Sequence, residues 1–236
     1  MAVYKFKPLR TGIRADALFT RPILEWEEHV NSRFFAMVYD ALAGKTNPSV
    51  AEFSVDVANV LGEARARYHL FGGGTSISIQ ADRLTFDFPN LVPTDYTIVN
   101  DVIAAIHDAF PKSFPELQYD TLQTWSQEHL DLVENGALER FLGRYEIATT
   151  DTAFPSPAVM QPGLKFTIVA QDQSWQCALS AERSLLSATA LFVVLNVSIR
   201  GLSNSPSYAD KRTRVTAVTN SVLRLIGLEH VDAAST

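Results

Sequence analysis

The side chains best suited to catalysis or metal binding are five histidines and one cysteine, and their spacing completes no known motif. No two histidines have the H-E-x-x-H spacing of zinc proteases, and one cysteine cannot build a zinc ribbon. Two histidines have an acidic neighbour, in the pairs His107-Asp108 and Glu128-His129. Adjacent side chains on a helix or strand point to different faces, so adjacency alone makes no catalytic dyad. We therefore predict no metal site and no cofactor, and we assign no catalytic residue.

Two glycine-containing segments resemble parts of phosphate-binding loops without completing them. Residues 44–46 read GKT, the end of a Walker A loop, but the first glycine of that motif would fall at position 39, which is Tyr39. This segment also ends a predicted helix, whereas a phosphate loop opens one. The glycines at 72–74 lack the G-x-G-x-x-G spacing, and no G-x-S-x-G elbow is present. These patterns disfavour nucleotide binding and serine hydrolysis.

Cys177 alternates with Trp175 and Leu179, which is the pattern of side chains on the inward face of a strand. A thiol in apolar surroundings has a raised pKa and reacts slowly. The sequence therefore predicts a structural cysteine. A single cysteine also excludes an intrachain disulfide, which suits a reducing compartment.

Four residues are candidates for contacts with a partner. Arg65 and Arg67 fall on one side of a predicted strand whose other side is apolar, so they form a basic strip for an acidic partner or, alternatively, a solvated strand face. Trp26 and Trp125 lie in polar surroundings, as interface aromatics often do. The alternative for both tryptophans is that they cover the core of their own lobe.

The bulk composition is that of a folded globular protein, with 236 residues, 47% of them apolar and 19% charged. The net charge of −6 argues against nucleic acid or an anionic membrane surface as the partner. The first residues contain no signal-peptide core, and no apolar run reaches the length of a spanning helix. We therefore expect a soluble cytoplasmic protein without a membrane partner.

Hydrophobic periodicity predicts an α+β fold with antiparallel sheet and three long helices, near residues 22–43, 94–110 and 208–226. An N-terminal α+β lobe, 1–148, is expected to join a C-terminal α+β lobe, 164–236, through a proline-rich linker, 149–163. Residues 50–110 and 164–226 share an order of strands, loop and helix, which indicates either a duplication or repeated use of a common motif. The predicted core contains Ile77, Phe86, Val102, Ile106, Phe166, Leu179, Phe192, Val194 and Val222.

Three segments in succession carry a family resemblance: SISIQADRLTFDF at 76–88, DYTIVNDVIAAIHDAF at 95–110 and LQYDTLQTWSQEHLDL at 117–132. Over residues 75–226 this layout resembles a sporadically distributed bacterial family of uncharacterised proteins of about this length. The family's Arg-Leu-Gly-Leu-Arg-Tyr-like strand is replaced by QYDTL at 118–122. The halves, strands followed by a helix, also look like SecB-type export chaperones. The resemblance implies a bacterial protein and supplies no catalytic residue.

Two classes of function remain open from the sequence. The first is a non-catalytic protein-interaction or assembly module of a bacterial cytoplasmic system, binding through sheet edges and exposed apolar residues. The second is an enzyme or small-ligand-binding protein with its site in the cleft between the lobes. Because sheet edges must be covered, charged or paired, we also expect a homo-oligomer, with the symmetric dimer as the commonest form.

Overall fold

A computed structural model gives the fold and describes residues 2–26, 28–56, 60, 63–71, 74–145, 162–202 and 207–231. Short 3-10 turns occur at Val50–Glu52, Pro93–Asp95 and Gly143–Tyr145. The strands and longer helices are, in chain order, β1 (Tyr4–Phe19), α1 (Glu28–Leu42), β2 (Phe53–Asp56), β3 (Arg65–Leu70), β4 (Thr75–Gln80), β5 (Arg83–Leu91), α2 (Tyr96–Ser113), β6 (Tyr119–Leu132), α3 (Ala137–Leu142), β7 (Leu164–Val169), β8 (Trp175–Arg183), β9 (Ala190–Ile199), α4 (Tyr208–Leu225) and β10 (Leu228–His230).

The strands of the described residues form one ten-stranded sheet in the order β2-β3-β4-β5-β1-β6-β9-β8-β7, with β10 beside the start of β1. Every pairing is antiparallel except that of β10 with β1. The predicted α+β class with antiparallel sheet is therefore confirmed. The three long helices are present as α1, α2 and α4, and the six-residue α3 adds a fourth.

The chain follows the same path twice. From β1 at the centre, the sheet continues outward through β5 and β4 to β3, and from β6 it continues through β9 and β8 to β7. In each half a helix follows the central strand (α1, α3), and another follows the last strand (α2, α4). The two halves thus share one order of elements, in which β1 corresponds to β6 and β5, β4 and β3 correspond to β9, β8 and β7. The predicted linker lies mostly outside the described residues, so the lobe boundary stays a prediction.

All four helices cover the same side of the sheet, which we call the helix side, and the core lies between. Successive side chains of each strand point to opposite sides of the sheet. On β4, Ile77 and Ile79 are buried on the helix side, and Ser78 lies on the opposite side. We call this opposite side the open face. One buried cluster lies under α1 and α2 and a second under α3 and α4. No helix of the described residues is long and apolar enough to cross a membrane.

Two helix boundaries differ from the sequence prediction for identifiable reasons. Residues 22–26 precede α1 without joining it, because the N–H of Ile23 donates to the carbonyl of Ala81 at 2.7 Å and ties this segment to the connection between β4 and β5. α2 continues through Pro111 to Ser113, since a proline in the last turn removes only its own N–H bond. The N–H of Phe114 still donates to the carbonyl of Phe110 at 2.8 Å.

Six of the nine predicted core residues are buried, and Phe166, Phe192 and Val194 are only half-buried. In β9 the inward side chains are the neighbours Val193 and Leu195, so the predicted register of this strand is wrong by one residue. The run is apolar on both faces, and this composition hides the alternation that would have set the register. Phe166 points inward, but it lies on an edge strand.

A pair of phenylalanines tests this assignment of faces. We expect Phe86→Ala to lower the free energy of unfolding by about 3–5 kcal/mol, because it opens a cavity in a closed core. The matched substitution Phe192→Ala, on the open face, should cost clearly less because solvent already reaches this ring. Urea unfolding of both variants measures the difference, and equal losses would contradict the assignment.

Candidate functional site

The open face is a broad polar surface that no helix covers in the described residues. Cross-strand neighbours form a row of polar side chains that runs over six strands: Arg67, Ser78, Thr85, Asp16, Gln123 and Ser198. Beside this row lies a pocket of about 300 Å³, whose lining includes Arg14, Arg65, Arg67, His69, Ser76 and Asp87.

The arginines of this pocket form ion pairs with neighbouring aspartates. Arg65 and Arg67 both approach Asp56, at 3.4 and 3.3 Å. Arg14 pairs with the buried carboxylate of Asp16 at 3.2 Å, and the hydroxyl of Thr85 donates to the same carboxylate at 2.8 Å. The pairs of Arg65 and Arg67 with the half-exposed Asp56 contribute little to stability. The surface is therefore rich in hydrogen-bonding groups without a strong net field.

The structure separates the two candidate tryptophans. Trp125 lies on the open face, opposite Arg14, with 49% of its surface exposed. Trp26 is half-buried and packs against the N-terminal core on the helix side. Arg65, Arg67 and Trp125 thus share one surface, and Trp26 does not belong to it. A role for any of them in partner contacts stays a prediction.

Among the described residues no further strand pairs with β7, which ends the sheet on one side and carries an incompletely covered apolar row. Its inward residues Leu164, Phe166 and Ile168 are half-buried. On β3, which occupies the equivalent position in the first half, every second residue is fully buried. Two differences accompany this contrast. β3 is flanked by β2, whereas β7 is the last strand of the sheet. The 15-residue α1 packs on β3, whereas its counterpart α3 has six residues and packs on β8.

The direction of the backbone groups on β7 follows from its pairing with β8. The N–H of Ala170 donates to the carbonyl of Trp175 at 2.9 Å. Because hydrogen-bonded residues alternate in an antiparallel ladder, Ile168, Phe166 and Leu164 also bond to β8. The N–H and C=O groups of Lys165, Thr167 and Val169 therefore point away from the sheet. The opposite edge strand, β2, has only four residues and ends in Asp56.

A groove of about 560 Å³ lies between α2 and α4, which belong to the two repeated halves. We call it the α2/α4 groove. Small and hydrogen-bonding side chains line both walls: Asn100, Asp101 and Ala104 from α2, and Tyr208, Ala209, Arg212, Thr213, Thr216, Ala217 and Asn220 from α4.

A buried lysine cluster lies where the N-terminus of α4 meets α2 and β6. The Nζ of Lys211 is 3.0 Å from His107 Nε2 and 3.0 Å from the hydroxyl of Tyr119. The ring of Tyr208, which also lines the groove, lies 5.6 Å from that of His107. Asp108 stays mostly exposed, with its carboxylate 3.5 Å from His107 Nδ1, so this adjacent pair is only loosely associated.

The pKa values of the lysine cluster are displaced by burial. Burial lowers the pKa of Lys211. Burial, followed by the charge of Lys211, lowers the pKa of His107, although Asp108 acts in the opposite direction. Burial raises the pKa of Tyr119 and that of Tyr208. Burial thus shifts each of these four pKa values toward the neutral form of its group. No motif in the sequence pointed to Lys211.

The second acid–histidine pair is divided between the two sides of the sheet. Glu128 lies on the helix side, mostly covered, and burial raises its pKa although a hydrogen bond from Ser126 and the charge of His230 oppose the shift. His129 lies on the open face, where its Nδ1 is 2.8 Å from the hydroxyl of Ser184. The two side chains cannot act as a dyad. Within the described ranges, no group of three or more His, Cys, Asp or Glu side chains could hold a metal ion.

Cys177 is fully buried, and burial raises the pKa of its thiol to about 11. We expect slow modification by a thiol reagent in the native protein and fast modification after unfolding, because neither the reagent nor the thiolate form is favoured in the core. The rate of chromogenic disulfide exchange with and without denaturant checks this. Rapid reaction of the native protein would contradict a structural role.

Glu128 should make stability depend on pH. Its folded-state pKa lies above the ordinary value of 4.5, so the folded protein binds this proton more tightly than the unfolded chain. The buried charge therefore destabilises the fold above the raised pKa, and the cost disappears as the pH falls to 4.5. We expect Glu128→Gln to stabilise the protein by about 1 kcal/mol at neutral pH and to have no such effect in acid.

The matched control is Glu182→Gln, which removes an exposed carboxylate from the open face of β8. This change should stay within about 0.5 kcal/mol at both pH values. Thermal unfolding at neutral and acidic pH compares the variants. A Glu128→Gln variant that is less stable than the wild type at neutral pH would show that the carboxylate is well satisfied.

No protein-family model matches the chain, and no curated protein matches it.

Proposed function

We propose that the protein is a non-catalytic assembly module that pairs with a second copy of itself through the free edge of β7. The observation that carries the proposal is the combination on one strand of outward backbone groups and a half-buried apolar row. Each unpaired edge is a template for another strand, and proteins that avoid pairing shorten or charge their edges. β2 has these protections, with four residues and Asp56 at its end, whereas β7 has six residues and one charge, Lys165.

The sequence of β7 is self-complementary in one antiparallel register. With Thr167 opposite Thr167 of the second copy, Lys165 faces Val169, and these pairs carry the outward N–H and C=O groups. On the helix side, Phe166 then faces Ile168 of the second copy, an aromatic–β-branched pair that stabilises sheets. A register centred on Lys165 would place two ammonium groups opposite each other, which is unfavourable.

Such a dimer joins two sheets into one continuous sheet with a doubled open face. We infer that this face, with Trp125, Arg65 and Arg67, is the surface for further protein partners, since it combines an exposed aromatic with many hydrogen-bonding groups. The net charge of −6 and the single buried cysteine fit the expected setting, a bacterial cytoplasmic system without nucleic-acid or membrane partners.

Substitution of Thr167 tests the edge. Thr167→Pro removes an outward N–H and leaves the bonds between β7 and β8 in place, so it should abolish pairing with little effect on the fold. Thr167→Val keeps the N–H and is the matched control. Light scattering behind size exclusion at micromolar concentration should give twice the chain mass of 26.1 kDa for the wild type and Thr167→Val, and 26.1 kDa for Thr167→Pro.

Two results would contradict the proposal. A wild-type mass of 26.1 kDa that does not rise with concentration excludes the homodimer. A dimer that survives Thr167→Pro in a variant with unchanged circular dichroism places the interface elsewhere.

A further inference from the structure

The pocket on the open face owes its shape to a difference in side-chain length between neighbouring strands. Its floor is β4, which presents the short side chains of Ser76 and Ser78. Longer side chains flank this floor, with Arg65 and Arg67 of β3 on one side and Asp87 of β5 on the other. The two walls stand on strands that are two spacings apart, about 9.6 Å. The sheet itself therefore fixes the pocket, and no loop is needed to form it.

The β3 wall of the pocket carries an excess of positive charge. Arg65 and Arg67 approach the same carboxylate, that of Asp56, at 3.4 and 3.3 Å. This carboxylate is half-exposed, and the buried Nε of Arg65 has no hydrogen-bond acceptor within the described residues. One carboxylate thus faces two guanidinium groups. Their remaining donors can bind a second carboxylate in the forked geometry that guanidinium groups favour.

The opposite wall carries an excess of negative charge. Asp87 is half-buried, and its carboxylate forms neither a hydrogen bond nor an ion pair in the part of the chain that the structure describes. Its cross-strand neighbour Arg14 pairs instead with Asp16 at 3.2 Å, and Arg83 pairs with Asp82 at 2.6 Å. A half-buried carboxylate costs free energy when it is left without a partner. Asp87 therefore offers a site for an ammonium group.

Neutral hydrogen-bonding groups lie between these two charged walls. The hydroxyls of Ser76 and Ser78 and the amide of Gln80 form no hydrogen bond among the described residues, so their donors and acceptors are available. No apolar side chain is among the described residues that line the pocket. The lining therefore fits a small polar ligand and gives no apolar contact to a hydrophobic one.

The signs of the two excess charges select the class of ligand. An inorganic oxyanion bound to Arg65 and Arg67 would lie close to Asp87, and the two negative charges would repel each other. A simple amine bound to Asp87 would be repelled by the two arginines in the same way. A compound with both a carboxylate and an ammonium group places each charge against the wall of opposite sign.

We propose that this pocket binds a free α-amino acid with a small polar side chain. The carboxylate of the ligand binds Arg65 and Arg67, its ammonium group binds Asp87, and its side chain contacts Gln80 and the serine hydroxyls. The volume of about 300 Å³ is sufficient for one such molecule. The site is built from the first half of the sheet, at a distance from β7, so it does not depend on the pairing of two copies.

Equilibrium dialysis of the full chain at neutral pH tests the need for both charges. The probe is an equimolar, millimolar mixture of serine, threonine, asparagine and glutamine with two glutamine analogues: glutaramate, which lacks the ammonium group, and 4-aminobutanamide, which lacks the carboxylate. Mass spectrometry compares the two chambers. We expect at least one of the amino acids to be enriched on the protein side and neither analogue to be enriched. Absence of any enriched amino acid, or an analogue enriched as strongly as the best amino acid, would overturn the proposal.

Two substitutions assign the binding to the two walls. Arg67→Gln and Asp87→Asn should each lower the association constant of the bound amino acid about tenfold, because each removes one charge-assisted contact. The matched control is Arg10→Gln, which removes an exposed arginine of the open face outside the pocket and should leave binding unchanged. Dialysis over a series of ligand concentrations gives the constants.

Both wall variants should keep the circular dichroism spectrum of the wild type, since Asp87 has no partner to lose and Arg67 pairs only with a half-exposed carboxylate. Wild-type affinity in either folded variant would overturn the assignment of the site. Thr167→Pro, which interrupts the proposed pairing of β7, should bind the amino acid as the wild type does. The dimer and the amino-acid site are therefore tested independently, and loss of binding in Thr167→Pro would overturn the location of the site within one copy.

Discussion

The antiparallel pairing of β1 with β6 is the interaction on which the rest of the architecture depends. It joins thirteen residue pairs, from Phe6 with Leu132 to Phe19 with Tyr119. Each half of the protein would otherwise present a long unpaired strand at its inner edge, with the cost of unsatisfied backbone groups or aggregation. Because the pairing makes one sheet of the two halves, their helices lie on one side, and α2 and α4 become neighbours. The α2/α4 groove exists only as a consequence.

β1 is long enough to pair with two different strands along one edge, and a bulge in it makes this possible. One edge of this strand pairs with β10 at residues 4–6 and with β5 at residues 11–18. Between these two stretches the register of β1 with β6, on the other edge, shifts by one residue, next to Pro8, which has no N–H to donate to a ladder. A bulge bends a strand and changes its twist, so that one strand can be shared between two partners. The proline is tolerated in a central strand because the ladder is already interrupted there.

The sequence predicts those parts of the fold in which the apolar residues follow a single periodicity, either that of a helix or that of a strand. α2 and α4 have an apolar stripe on one side, and their starts at Tyr96 and Tyr208 fall close to the predicted ones. β9 is apolar on both faces, so its alternation is hidden, and the register prediction slipped by one residue. The predicted start of α1 is too early because a hydrogen bond from Ile23 to Ala81, distant in the sequence, holds the residues before the helix against another part of the chain. Local patterns carry no information about such partners.

The residues of the candidate site could not be predicted from local sequence patterns for a related reason. They stand out only when corresponding positions of the two halves are compared. Lys211 alone is an ordinary lysine on a polar helix, and β7 alone is an ordinary strand. Compared with Val99, which lies at the same distance from the start of α2, and with β3, each departs from what the same fold does in the other half, and each departure costs burial of apolar surface. The first half shows that the fold does not require either feature. Where the two halves of one architecture differ at a cost in stability, function explains the difference more economically than folding does.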